Sequence, residues 1–277
     1  MSANETASPS RQHPASPSER QTRRDLAAAY RLMALDGMDD GISTHISARL
    51  PGERFLINAL GLRFEEVRPD NLVTVDADGT LLDDPTGLGI NPAGFTIHSA
   101  IHAARPDVGC VLHAHSVAGV AVSCLEDGLK PLNQWAMQFY ARTGYHAYEG
   151  IALDLAERER LVAHLGPHMT LVLRQHGMLT CGTSVGDAFL RMRDLERSCQ
   201  AQLAAEASGQ ALTQATPELC ERVARQYERW NASGQGVDLA WRAELRRLGI
   251  EAPAAPSSAA PSPASSTAQE SPCATHD

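Results

Sequence analysis

The chain has 277 residues, 43% of them hydrophobic, and a formal net charge of −9. That length buries a sizeable core in one main domain, and an acidic balance without a basic stripe argues against a nucleic-acid partner. No run approaches the roughly 20 apolar residues of a membrane span and the first residues lack a secretory signal's apolar core, so a cytoplasmic protein with no membrane role is expected. Residues 1–20 are rich in Ser, Pro, Gln and charge, and 251–277 form a Pro/Ala/Ser tract; both are expected to be disordered, leaving one domain over 21–250.

In chain order, "TRRDLAAAYRLMALDGM" places Leu26, Tyr30 and Met33 at helical spacing and meets Gly37 near its end, a helix and its stop. Short strands are predicted at "RFLIN" and "NLVTVD", the second closed by the turn "DADG". Then "TIHSAIHAARPD" reads as a helix ended by Pro106, "GCVLHAHS" as a strand, "SVAGVAVSCLEDG" as a helix and "MTLVLRQHG" as a strand. A long amphipathic helix, "SVGDAFLRMRDLERSCQAQLAAEA", follows, and "PELCERVARQYERW" is a last packing helix with no chemistry implied. This order predicts an α/β/α layered domain around a central sheet. The six cysteines form no CxxC pair, so neither disulfides nor a cysteine-built zinc site is expected.

Residues two apart on a strand share a face, so His113 and His115 would point together while Leu112 and Ala114 face away. His176, at the predicted end of "MTLVLRQHG", could reach the same cleft. Three imidazoles would make an open site for Zn²⁺ or Fe²⁺ with positions left for water, substrate or dioxygen. Spacing alone leaves the alternative standing, a structural histidine pair in an apolar strand. His98 and His102 lie four apart on the predicted helix and could face the cleft, or sit satisfied in the core. "LNQWAMQFYARTGYHAYEG" gathers Trp135, Phe139, Tyr140, Tyr145, His146 and Tyr148 in a chain with 5% aromatics, either as an aromatic substrate pocket or as ordinary packing. Glu149 is the nearest acid, a proton donor or an ion-pair partner.

The stretch "FTIHSAIHAARPDVGCVLHAHSVAGVAVS" at 95–123, with "YHAYEGIAL" at 145–153 and "LRQHGMLTCGTSVGDAFLRMRDLERSCQ" at 173–200, resembles the class II aldolase/adducin family across roughly 25–207. The resemblance implies a three-layer α/β/α class II aldolase-like fold with a central mixed β-sheet, and assembly as a homo-oligomer, often a tetramer. In the family's enzymes three histidines hold a divalent metal, and by position these are His113, His115 and His176. Family sequences commonly have histidine at His98, which implies a place beside the metal ligands or the substrate.

The sugar-phosphate aldolases of this family also carry a glutamate upstream of the first metal histidine, acting in proton transfer and metal binding. Counting back from His113, that position is Gly94, which has no group to exchange a proton. Their phosphate-binding turns correspond to "STHIS" at 43–47 and "NALG" at 58–61, with fewer donors for a phosphate. A metal site without the family's acid/base resembles that of the aldolase-like non-haem iron oxygenases of aminocoumarin antibiotic biosynthesis. The expectation is therefore an Fe²⁺ oxygenase that oxidatively decarboxylates a small aryl 2-oxo or 2-hydroxy acid with O₂, with His98, Tyr145, His146 and Glu149 as catalytic candidates. The alternatives are a Zn²⁺-dependent lyase cleaving a carbon–carbon bond next to a carbonyl, and an adducin-like binding module without catalysis.

Overall fold

The computed structural model describes residues 16–150 and 156–251. Most of the two segments expected to be disordered, and the end of "YHAYEGIAL", lie outside the described residues. Helix α1 (Pro17–Leu35) begins four residues before the boundary expected at 21. Ser16 accepts a hydrogen bond from the Glu19 N–H at 3.1 Å and Pro17 opens the first turn, a capped start that outweighs the polar composition of the segment.

Strands β1 (His45–Leu50), β2 (Arg54–Ile57), β3 (Val73–Asp76) and β4 (Leu81–Asp83) follow as an antiparallel meander. Next come α2 (Pro92–Ala104), β5 (Cys110–Ala114), α3 (Val117–Ser123), the single turn α4 (Gln134–Met137) and β6 (Gly144–His146). The chain continues through α5 (Glu157–Leu165), β7 (Thr170–Leu173), β8 (Gly177–Gly182), α6 (Val185–Ala207), α7 (Pro217–Ala232) and α8 (Gln235–Arg247). The strands make one mixed sheet in the order β4-β3-β2-β1-β5-β8-β7-β6, antiparallel except for β6 beside β7. Helix α5 supplies the crossover that this parallel pair requires.

Both faces of the sheet are covered, which makes it the middle of three layers. On one face Leu26, Tyr30, Ile46, Leu112, Met178 and Phe189 join α1 and α6 to the strands. On the other, Ile97, Ile101, Val111, Leu161, Leu179 and Cys181 join α2 and α5. Alternation on β5 therefore sends Leu112 and Ala114 toward α1 and α6 while Val111 and His113 face α2. Covering both faces also explains why every residue of the strand is buried.

The predicted strand over 169–177 is two strands. β7 ends at Leu173, Arg174–His176 turn with Gln175 at φ 56°, and β8 returns antiparallel from Gly177. His176 thus sits in a hairpin turn and not on a strand end. Strands β1, β4 and β6 and helices α4, α5 and α8 had no counterpart among the elements expected from the sequence. Among the described residues, no helix is long and apolar enough to cross a membrane.

Candidate metal centre

His113 is on the central strand β5, His115 one residue past the strand's end and His176 in the β7–β8 turn. One ring nitrogen from each lies within 4.8 Å of the other two, and the His176 ring centroid is 4.8 Å from those of both His113 and His115. Glycine at 177 is what lets the turn come so near. A Cβ there would lie 2.5 Å from the Ala114 carbonyl oxygen and 3.1 Å from Cδ2 of His115.

The outer nitrogens of two of these rings are engaged by acceptors. His113 Nδ1 lies 3.0 Å from the Met178 carbonyl oxygen and His115 Nδ1 lies 2.9 Å from Oδ2 of Asp40. A carbonyl and a carboxylate can only accept, so both Nδ1 atoms carry the hydrogen. The two Nε2 atoms turn inward and lie 2.8 Å apart. Nδ1 donating outward with Nε2 turned to the ion is the arrangement that metal-ligating histidines adopt. Burial, followed by the neighbouring His115, His176 and His45, pushes His113 well below the ordinary imidazole range. Burial, with His115 and His146 adding to it, lowers His176 to about 4. Both shifts favour the neutral rings that a metal needs, and the donor set can hold a divalent ion of the Zn²⁺ or Fe²⁺ type.

The space beside Gly94 is filled. A Cβ built there would overlap Cγ, Cδ2 and Nε2 of His45, so no side chain fits at position 94 while that imidazole holds its place. His45 is the register partner of His113 across β1 and β5, on the same face, with ring centroids 5.4 Å apart. Its Nδ1 is 2.9 Å from His98 Nε2; His98 Nδ1 is 2.6 Å from Ser47 Oγ, which is 2.8 Å from His102 Nε2. All four side chains are buried. Burial, with neighbouring histidines, drives His45 and His98 well below the usual range, and burial beside the Arg49 guanidinium lowers His102 to about 3.

Comparison with known proteins decides the family. The "Class II Aldolase and Adducin N-terminal domain" description matches residues 24–203. An aldolase II superfamily protein from Pseudomonas syringae is 52% identical, with a TM-score of 0.82 over 85% of this chain and 94% of that one. The L-fuculose 1-phosphate aldolase from Glaciozyma antarctica is 27% identical, with a TM-score of 0.75 over 86% of this chain and 95% of that one. Rat α-adducin is 42% identical over 194 residues, 69% of this chain and 26% of that protein. The chain belongs to the class II aldolase and adducin family.

Within this family member, the structure separates the remaining candidates. His98 is one shell removed from the cluster, bonded to His45. Tyr145 does not turn toward the three histidines: its hydroxyl accepts from the Leu129 N–H at 3.1 Å and its ring carries the Arg174 guanidinium at 4.5 Å. His146 is buried, with Nδ1 2.8 Å from His164 Nδ1 and Nε2 3.2 Å from Glu157 Oε1. Glu149 is held by Arg160 in a two-pronged ion pair at 2.5–3.1 Å, which lowers its carboxyl and makes it a poor proton donor. The aromatic segment is divided: Phe139, Tyr140 and Tyr145 line one cavity, while His146 and Tyr148 line another together with His176. Phe139 is core, Trp135 is exposed beside Arg197, and Tyr148 approaches the site, half exposed with its ring 6.1 Å from His176. Asp40, His45 and Ser47 went unread in the sequence as site residues; the one signal was the alternation of His45 and Ser47 in "STHIS", taken there only as an altered phosphate turn.

Proposed function

We propose that this chain is a metal-dependent lyase that breaks or forms a carbon–carbon bond next to the carbonyl of a small, unphosphorylated hydroxy-carbonyl substrate, with the ion held by His113, His115 and His176. The observation that carries this reading is the convergence of the three histidines, one ring nitrogen of each within 4.8 Å of the others, with the Nδ1 atoms of His113 and His115 engaged outward. When bound, a Zn²⁺ ion would polarise the substrate carbonyl and stabilise the negative charge left by bond cleavage. The chain's own residues hold the ligands: Asp40 and the Met178 carbonyl set the tautomers, and the half-exposed Tyr148 offers an aromatic edge where substrate would enter.

An unphosphorylated substrate is supported by the two segments aligned with phosphate turns. The Ser47 hydroxyl bridges His98 and His102, and Asn58 Oδ1 lies 2.8 Å from the Tyr30 hydroxyl. Both groups are buried and engaged internally, leaving neither for a phosphate. The likeness to an L-fuculose 1-phosphate aldolase supports lyase chemistry.

The oxygenase reading rests on Gly94, which removes the carboxylate from the family's acid/base position; an Fe²⁺ ion on the same histidines would leave sites for an oxo acid and O₂. Anaerobic purification followed by metal analysis tests both. Stoichiometric zinc with cleavage of a hydroxy-carbonyl panel is the expected result, and His113→Ala should abolish metal binding. Stoichiometric iron with O₂ uptake would replace the lyase by the oxygenase, and a site that stays empty after metal addition would leave an adducin-like binding module. A cytoplasmic homo-oligomer is part of the same proposal.

A further inference from the structure

We propose that Glu196, a carboxylate buried on α6 behind the histidine cluster, supplies the negative charge that balances the bound cation, and that Ser116 holds it in place. The proposal rests on the three-histidine metal reading above and takes no part in the choice of reaction.

The pair is seated among the residues that fix two of the three ligands. Ser116 follows His115 directly, at the turn between β5 and α3, and its Oγ donates to Glu196 Oε2. Gln200 Nε2 donates to Oε1 of the same carboxylate at 2.8 Å. Beside the pair stands Met178, whose carbonyl accepts from His113 Nδ1. Gly119 on α3 leaves the room for this contact. A Cβ there would lie 2.7 Å from Ser116 Oγ, 2.9 Å from Met178 Cγ and 3.6 Å from Glu196 Oε2.

Two features set this pair apart from an ordinary tie between helices. Ser116 is the N-cap residue of α3, a place where serine usually accepts from a first-turn N–H. Here its side chain makes no cap bond, and the hydroxyl is committed to Glu196 instead. The second feature is the carboxylate itself. It is 7% exposed, its partners are a hydroxyl and an amide, and no ion pair reaches it among the described residues. A carboxylate buried without a cation is unfavourable.

The metal centre has the opposite deficit. Its three ligands are imidazoles, which bring no negative charge, and position 94 offers no carboxylate. A divalent ion would therefore arrive with both of its charges unbalanced. Asp40 answers part of this through His115, but it is 51% exposed, so water and salt screen it. Glu196 is screened far less because it is buried. Each site thus supplies what the other lacks. Glu196 and Ser116 act here as positioning and charge-balancing residues, since neither is a ligand to the ion.

Two measurements on the full-length protein test this: Zn²⁺ affinity by displacement of a fluorescent zinc indicator, and melting of the metal-free chain. Glu196→Gln removes the charge and keeps the shape, because its oxygen can still accept from Ser116 and its amide can donate to Gln200. Its Kd for Zn²⁺ should rise about 10-fold or more. Metal-free, it should melt no lower than wild type, because a buried charge without a cation is gone. A merely structural pair would do the reverse, lowering the metal-free melting temperature and leaving zinc affinity alone. Ser116→Ala keeps the charge and strips a donor from it. That variant should melt lower without metal, yet lose less zinc affinity than Glu196→Gln. Unchanged zinc affinity in Glu196→Gln overturns the proposal, as does an affinity loss accompanied by a lower metal-free melting temperature. A larger affinity loss in Ser116→Ala than in Glu196→Gln overturns it too. Wild type that binds no zinc removes the metal reading as well, whereas wild type and Glu196→Gln binding zinc equally removes this proposal alone.

Discussion

Asp40 and Gly94 show how much of this site depends on residues that never touch a ligand. Asp40 acts only through His115, accepting from its Nδ1–H at 2.9 Å. Asp40→Asn should weaken zinc affinity about 10- to 100-fold, as loss of such outward partners does, read by competition with a chromophoric chelator. Gly94 is a constraint of volume, because any Cβ would overlap the His45 ring. Gly94→Ala should lower the melting temperature by an amount equivalent to about 1–3 kcal/mol, and adding His45→Ala should return most of it; a neutral Gly94→Ala would show that the ring is not seated there. At this scale the three histidines were legible because their motifs matched a family, whereas His45 was not. A glycine carries no sign of what fills its space, and the residue that does so is on a strand remote in sequence.

Two elements position the cluster, β5 with its antiparallel partners and the β7–β8 hairpin, and they differed in legibility. The "CVLHA" strand was readable from its apolar run, since both faces are covered. The hairpin was hidden because "MTLVLRQHGMLTCG" has no Asn-Gly or Asp-Gly pair at its bend. The turn instead relies on Gln175 in the left-handed region and on Gly177 passing against β5. Helix α2 leads to a pH prediction through His102, whose pKa falls to about 3 in the fold from an ordinary imidazole value near 6.5. Between those values the unfolded chain takes up a proton that the folded chain refuses, so this group makes stability fall as pH drops from about 7 toward 3 and has little further effect below that. From pH 7 to pH 5 the loss attributable to this one ring is about 2 kcal/mol. Urea unfolding of metal-free protein at the two pH values should show it, with a smaller difference in His102→Gln.

For the whole molecule, composition and element order carried the three-layer class, and the family resemblance supplied the mixed sheet. What escaped was the start of the domain, where the Ser16 cap and Pro17 extend α1 into a segment that looked loose. The exposed faces of Trp135, Leu219 and Trp230 on α4 and α7 support assembly with further copies. Light scattering at micromolar concentration should give a mass well above 29.7 kDa, and a monomer would remove that part of the reading. The seat of His176 in a hairpin turn, far along the chain from His113, has a mechanical consequence. An ion bridging the two would staple the centre of the sheet to the loop beside it, opposing the opening of that edge much as a reversible cross-link does. Melting would then depend on metal concentration, with a thousandfold excess over Kd adding about 4 kcal/mol to the folded state.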